Sequence, residues 1–123
     1  MKRIFLLERD ADVAADLKEF LEDDKTQVDA HNQNSERRKS FLCHLPANYD
    51  CHIIHYSMTS EKAVVKLREN NPESLLVIGM STSYDSLPQP VMDAANMLYG
   101  NRRKGMADIL PNIEEIKRRL ARQ

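Results

Sequence analysis

The sequence has no tryptophan, only two cysteines, few aromatic residues and no long apolar run. Each shortage excludes something. With aromatics at 6% of residues and no Trp, there is little from which to build a stacking platform for nucleic-acid bases. The longest apolar stretches, residues 4–7 and 75–79, are strand-sized and far short of a bilayer span, so no membrane association is expected. No signal peptide is legible either, because Lys2-Arg3 is followed by only four apolar residues before Glu8. Two cysteines without a secretory signal predict reduced thiols and a cytoplasmic chain. A formal net charge of −1 provides no global field towards nucleic acid or anionic lipid. The 123 residues suffice for a single domain, 1–123, with one core, and they contain no repeat or linker.

What is present is an alternation of strand-like and helix-like segments. Residues 4–7 are apolar on both faces, as in a buried parallel strand. Asp10 or Asp12 then caps a helix with Val13, Leu17, Phe20 and Leu21 inward. Residues 26–30 form a weak edge strand. Ser35 caps a second helix through Phe41 and Leu42, ended before Pro46. Residues 51–56 are the third strand. A helix over about 60–69 carries Val64 and Leu67, and residues 75–79 are the fourth strand. Pro88-Gln89-Pro90 precedes a helix with Val91, Ala94, Ala95 and Leu98, stopped at Gly100. Residues 106–110 are the expected fifth strand. Asn112 caps a last helix with Ile113, Ile116 and Leu120 inward, Glu114 and Glu115 in its first turn and Arg118, Arg119 and Arg122 in its last. Strands and helices alternating with short connections predict an α/β domain, a parallel sheet covered on both faces.

Four stretches mark the strand ends: Arg3-Ile4-Phe5-Leu6-Leu7-Glu8-Arg9-Asp10, Tyr49-Asp50-Cys51-His52-Ile53-Ile54-His55, residues 75–81, and Gly105-Met106-Ala107-Asp108-Ile109-Leu110-Pro111-Asn112. Their order and spacing resemble the receiver domain of bacterial two-component response regulators, the CheY-like family, over essentially the whole chain. The resemblance implies a flavodoxin-like, doubly wound five-stranded sheet, order 2-1-3-4-5, with five helices and with ligands at the carboxyl ends of the strands. It also locates a phosphorylation site. The paired acids that hold magnesium after strand one read Glu8 and Arg9, with Asp10 one residue late. The phosphoacceptor aspartate at the end of strand three reads His55. The hydroxyl residue after strand four survives as Ser81 or Thr82. The lysine before a proline after strand five reads Leu110, and the aromatic of strand five reads Ile109. An imidazole cannot become an acyl phosphate, and phosphoryl transfer needs fixed positive groups and a metal to neutralise charge. The resemblance is therefore to a pseudo-receiver with a vestigial site, no catalytic residue, and neither a cofactor nor a metal.

Competing chemistries are weaker. Cys43-His44, Cys51-His52 and His55 are zinc-ligand types, but Cys51 and His55 lie about 13 Å apart along one strand at ~3.3 Å per residue, whereas zinc donors sit at ~2 Å. Alternation sends His52 to the face opposite Cys51 and His55, which leaves only a smaller set of Cys43, His44 and His52. His55 as a general base lacks a legible nucleophile in the spacing; hydrogen bonding to Glu8 or Asp10, with Arg9 completing an ion network, is the plainer expectation. The clusters Arg102-Arg103-Lys104 and Arg37-Arg38-Lys39 come without a nucleic-acid motif and read as solvated faces. The first of these, with Met97, Tyr99 and Met106, lies on the fourth-helix, fifth-strand, fifth-helix face that receivers use for docking, and supplies anchors for a protein partner or a homodimer. The expected function is a phosphorylation-independent interaction module in signalling, not an enzyme. The alternative is a small-ligand or anion sensor, or an enzyme, using Glu8, Arg9, His55 and Ser81. An end at Gln123, after an uncapped helix, is compatible with a removed output domain.

Overall fold

The computed structural model describes residues 1–80, 86–100 and 110–123. Strands Lys2–Leu7 (β1), Thr26–His31 (β2), Cys51–His55 (β3), Leu75–Met80 (β4) and Met97–Gly100 (β5) form one sheet in the order β2-β1-β3-β4-β5. Every pairing is parallel, with Leu7 beside Ile54, His55 beside Gly79, and Gly79 beside Tyr99. Helices Ala11–Leu21 (α1), Glu61–Asn70 (α2), Gln89–Ala94 (α3) and Leu110–Arg122 (α4) cover it.

Strand alternation divides the core in two. Ile4, Leu6, Val28, Cys51, Ile53 and Val77 pack against Leu17 and Leu21 of α1 and Ile113, Ile116 and Leu120 of α4. Phe5, Leu7, Ile54, Leu76 and Ile78 face Phe41, Val64 and Leu67 of α2, and Val91 of α3. The doubly wound sheet in order 2-1-3-4-5 is thus as the sequence predicts.

Several expected elements differ. Four α-helices, not five, lie among the described residues, because the helix expected from Ser35 is a chain of turns with one short 3-10 turn at Ser40–Leu42. Local hydrogen bonds compete there: Ser35 Oγ accepts from Asn32 N–H, Asn32 Oδ1 accepts from Asn34 N–H, and Ser40 Oγ donates to the Arg37 carbonyl. Only Phe41 and Leu45 of this segment are buried, too few for a helical stripe. Phe20 of α1, expected inward, is 46% exposed, and Ala14 is buried with Leu17 and Leu21 instead.

The largest correction concerns the fifth strand. It is Met97–Gly100, so α3 ends at Ala94 and Leu98 never joins it, while Leu110 begins α4 instead of closing a strand. Val91, Ala94, Ala95 and Leu98 satisfy a helical period, but residues 97–99 satisfy a strand period equally well, with Met97 and Tyr99 on one core face and Leu98 on the other. Asn96 decides between them. Its N–H donates to the Leu76 carbonyl and its Oδ1 accepts from Leu76 N–H, docking the chain onto β4. Asn112 consequently lies inside α4, and Glu115 sits a turn further in, where it pairs with Arg118 and, at 2.9 Å, with Arg119.

Candidate functional site

The carboxyl ends of β1 and β3 bring Glu8, Arg9, Asp10 and His55 to one end of the sheet. Glu8 is wholly buried and Arg9 is exposed. Asp10 does not turn towards a metal position: it is the N-cap of α1, its Oδ1 accepting from Asp12 N–H at 2.9 Å and Val13 N–H at 3.2 Å.

His55 closes β3 with 1% of its surface exposed. Its Nδ1 caps the 3-10 turn Tyr56–Met58, accepting from Ser57 N–H at 3.3 Å, and lies 2.6 Å from Ser57 Oγ. Two donors from one residue leave Nδ1 as the acceptor and place the ring proton on Nε2. Burial first, and the positive charge of Arg9 second, hold the imidazole down to about 4, so it is neutral at physiological pH. Ser57, which spacing did not single out, is thus a side chain that His55 engages. The signal was present as a Ser two residues after a strand-ending His, the position of an N-cap contact.

His52 points to the other face. Its Nδ1 lies 2.7 Å from Ser74 Oγ and its Nε2 2.7 Å from the Pro46 carbonyl, which occupies both ring nitrogens. Burial lowers it to about 4 as well. Cys51 is fully buried and its thiol is pushed up by desolvation, while Cys43 and His44 are exposed. Among the described residues no group of three or more His, Cys, Asp or Glu side chains converges to hold a metal.

Of the docking candidates, Met97 and Tyr99 belong to β5 and not to a helix. Met97 is half-buried, and Tyr99 is 6% exposed with its ring laid over Gly79, which makes it a core side chain in place of a surface anchor. Arg102, Arg103, Lys104 and Met106 lie outside the described residues, as do Ser81, Thr82 and Ile109. Of Leu110 only its place at the start of α4 is described. The strand-five shift means that Leu110 does not follow the fifth strand directly but opens α4. Tyr99 is the aromatic of that strand, so an aromatic is not missing from it.

A contact system absent from the sequence reading secures the opposite end of the sheet. Arg68 of α2 donates to the carbonyls of Asn71, Pro72, Ser74 and Ala94 and to Asn96 Oδ1, tying α2, β4 and the start of β5 together. On the same end, Arg3 lies 4.5 Å from the ring centre of Tyr49, and Asp29 accepts from both Arg3 and the Tyr49 hydroxyl. A cavity of about 570 Å³ between Leu21 and Leu120, rimmed by Lys2, Asp23, Lys25 and Lys117, also lies at the amino end of the strands, away from His55. No helix among the described residues is long and apolar enough to cross a membrane.

The sheet order and the double layer of helices give the doubly wound fold also found in response-regulator receiver domains. Three solved structures illustrate the likeness. The orphan response regulator HP1043 of H. pylori is 15% identical, with 97% of this chain and 96% of that one covered at a TM-score of 0.70. TrrA of Thermotoga maritima, solved with Mg2+ and BeF, is 19% identical over 96% and 98% at 0.65. A putative pilus assembly protein, CpaE, from Burkholderia thailandensis is 16% identical over the whole of both chains at 0.64. No protein-family model and no curated protein matches the sequence.

Proposed function

We propose that this chain is a receiver-like interaction module of two-component-type signalling that works without phosphorylation. The observation that carries the reading is His55: β3 ends in a buried, neutral imidazole where the receiver resemblance requires a reactive carboxylate. Neighbouring acids do not substitute for it. Asp10 is committed to capping α1, and Asp50 lies at the far end of β3, where its Oδ2 accepts from Arg3 N–H at 2.8 Å. Arg9 opposes a divalent cation next to Glu8. The module docks a signalling protein, or a second copy of itself, through the face formed by α3, β5 and α4. A receiver neighbour, TrrA, is known in complex with the histidine kinase ThkA, which is a partner of the kind this fold accepts.

Incubation with acetyl phosphate and magnesium, followed by intact-mass analysis, is expected to give no phosphoryl adduct. A phosphoryl group on His55, Asp50 or Asp10 would overturn the reading. A thermal-shift series with phosphate, nucleotides and divalent metals is expected to leave the midpoint unmoved; stabilisation would favour a ligand-binding pocket instead.

A further inference from the structure

Two serine–histidine pairs lie among the described residues, and they differ in one respect that matters chemically. Ser74 Oγ and His52 Nδ1 are 2.7 Å apart, but the serine is 8% exposed, the imidazole is wholly buried, and the other ring nitrogen is held by the Pro46 carbonyl. That pair is sealed. Ser57 Oγ and His55 Nδ1 are 2.6 Å apart, and here the serine is exposed while the base behind it is buried. Other hydroxyls nearby point at carbonyls: Thr59 donates to the Phe41 carbonyl at 2.8 Å, and Ser60 to that of Leu42 at 2.7 Å. Ser57 alone among these three is an exposed residue whose hydroxyl is paired with an imidazole nitrogen and not with a carbonyl.

We propose that Ser57 is a nucleophilic acyl-acceptor site, with His55 as its general base, for small activated acyl donors such as esters and thioesters. Hydroxyl and base stand within the distance that nucleophile activation requires. They stand at the carboxyl end of the sheet, where α/β folds admit ligands. In the step, Ser57 Oγ forms a bond to the carbonyl carbon as its proton passes to His55 Nδ1. The carbonyl oxygen takes up the displaced electron pair and returns it as the bond to the alcohol or thiol breaks. The leaving group departs with its own electron pair and is then protonated from His55, leaving an ester on Ser57 and a neutral imidazole. The positive charge of Arg9 helps keep His55 neutral, the form that accepts the proton. The inference is independent of the docking reading, since an acyl ester on Ser57 differs in mass and position from any phosphoryl adduct.

p-Nitrophenyl acetate tests it on the whole chain, with quenched peptide mapping. Acetylation is expected at Ser57 ahead of Ser60 and Ser74, and to be abolished by Ser57→Ala. His55→Asn is the decisive variant, because its amide oxygen can still cap the Tyr56–Met58 turn but is not a base. It should slow labelling of Ser57 about a hundredfold, towards the low end for general-base loss because His55 is weakly basic. Labelling at Ser57 that survives His55→Asn in a folded protein would overturn the proposal. So would wild-type labelling spread over other residues or absent from Ser57, an outcome that stands whether or not any variant folds.

Discussion

Acidification from about pH 7.5 to about pH 5 should remove about 4 kcal/mol of folding stability, and two residues account for it. His52 and His55 are 0% and 1% exposed, and both are held near 4 in the folded chain against an ordinary value of 6.5. Above 6.5 both folded and unfolded chains carry neutral imidazoles, and the pair contributes nothing to the pH dependence. As pH falls below 6.5 the unfolded chain takes up protons that the folded chain refuses, so stability declines until the native rings themselves titrate near 4. At ~1.4 kcal/mol per pH unit, each ring accounts for about 2 kcal/mol by pH 5 and about 3 kcal/mol at the end of the window. His31, half-buried and also lowered by desolvation, acts in the same direction. Asp29, lowered chiefly by its bond from Tyr49, adds a loss only as pH falls through and below the ordinary value of 3.8. Against a typical total of about 5–15 kcal/mol, this loss is large. Urea-unfolding midpoints at the two pH values, with the slope unchanged, measure it directly. A midpoint that stays level to pH 5, or a decline undiminished in His52→Gln/His55→Asn, would refute the reasoning, as would either imidazole titrating above 6 in the folded protein by NMR.

Two further perturbations probe the packing around the site. A methyl group on Gly79 would stand 2.6 Å and 2.7 Å from two ring carbons of Tyr99, so Gly79→Ala should cost about 1–3 kcal/mol. Much of that cost should vanish in a Tyr99→Val background, and strict additivity in a double-mutant cycle would show that the ring does not occupy the notch. Arg68→Ala should cost about 3 kcal/mol in urea unfolding, because four carbonyls and Asn96 Oδ1 each lose one donor together. Arg68→Lys should recover only a fraction, since an ammonium cannot span the fork; full recovery would show that charge, not geometry, is the contribution.

The buried strands were legible in the sequence because their residues are apolar on both faces, a pattern few alternatives share. Residues 4–7, 51–56 and 75–79 announce themselves by composition, and their alternation with helices predicts a parallel sheet, although Tyr56 leaves β3 for the 3-10 turn; the strand order came with the receiver resemblance. His55 at the end of β3 was legible for the same reason, and so was Asp10 as a cap. The region after Pro90 was not. Met97, Leu98 and Tyr99 fit a helical stripe as well as a strand, and the choice was made by contacts with residues far along the chain: Leu76 bonded to Asn96, and Gly79 providing room for Tyr99. The helix expected at 35–42 failed because side chains at Asn32, Ser35 and Ser40 satisfy the local backbone, a competition that periodicity does not register. The amino-acid sequence by itself thus determined a parallel sheet covered on both faces and the imidazole at its mouth, since short strands apolar on both faces must be buried on both. Only the tertiary structure decided where the fifth strand lies, that Tyr99 is core, and that the hydroxyl facing His55 belongs to Ser57, because each depends on which polar groups find partners once the core has closed.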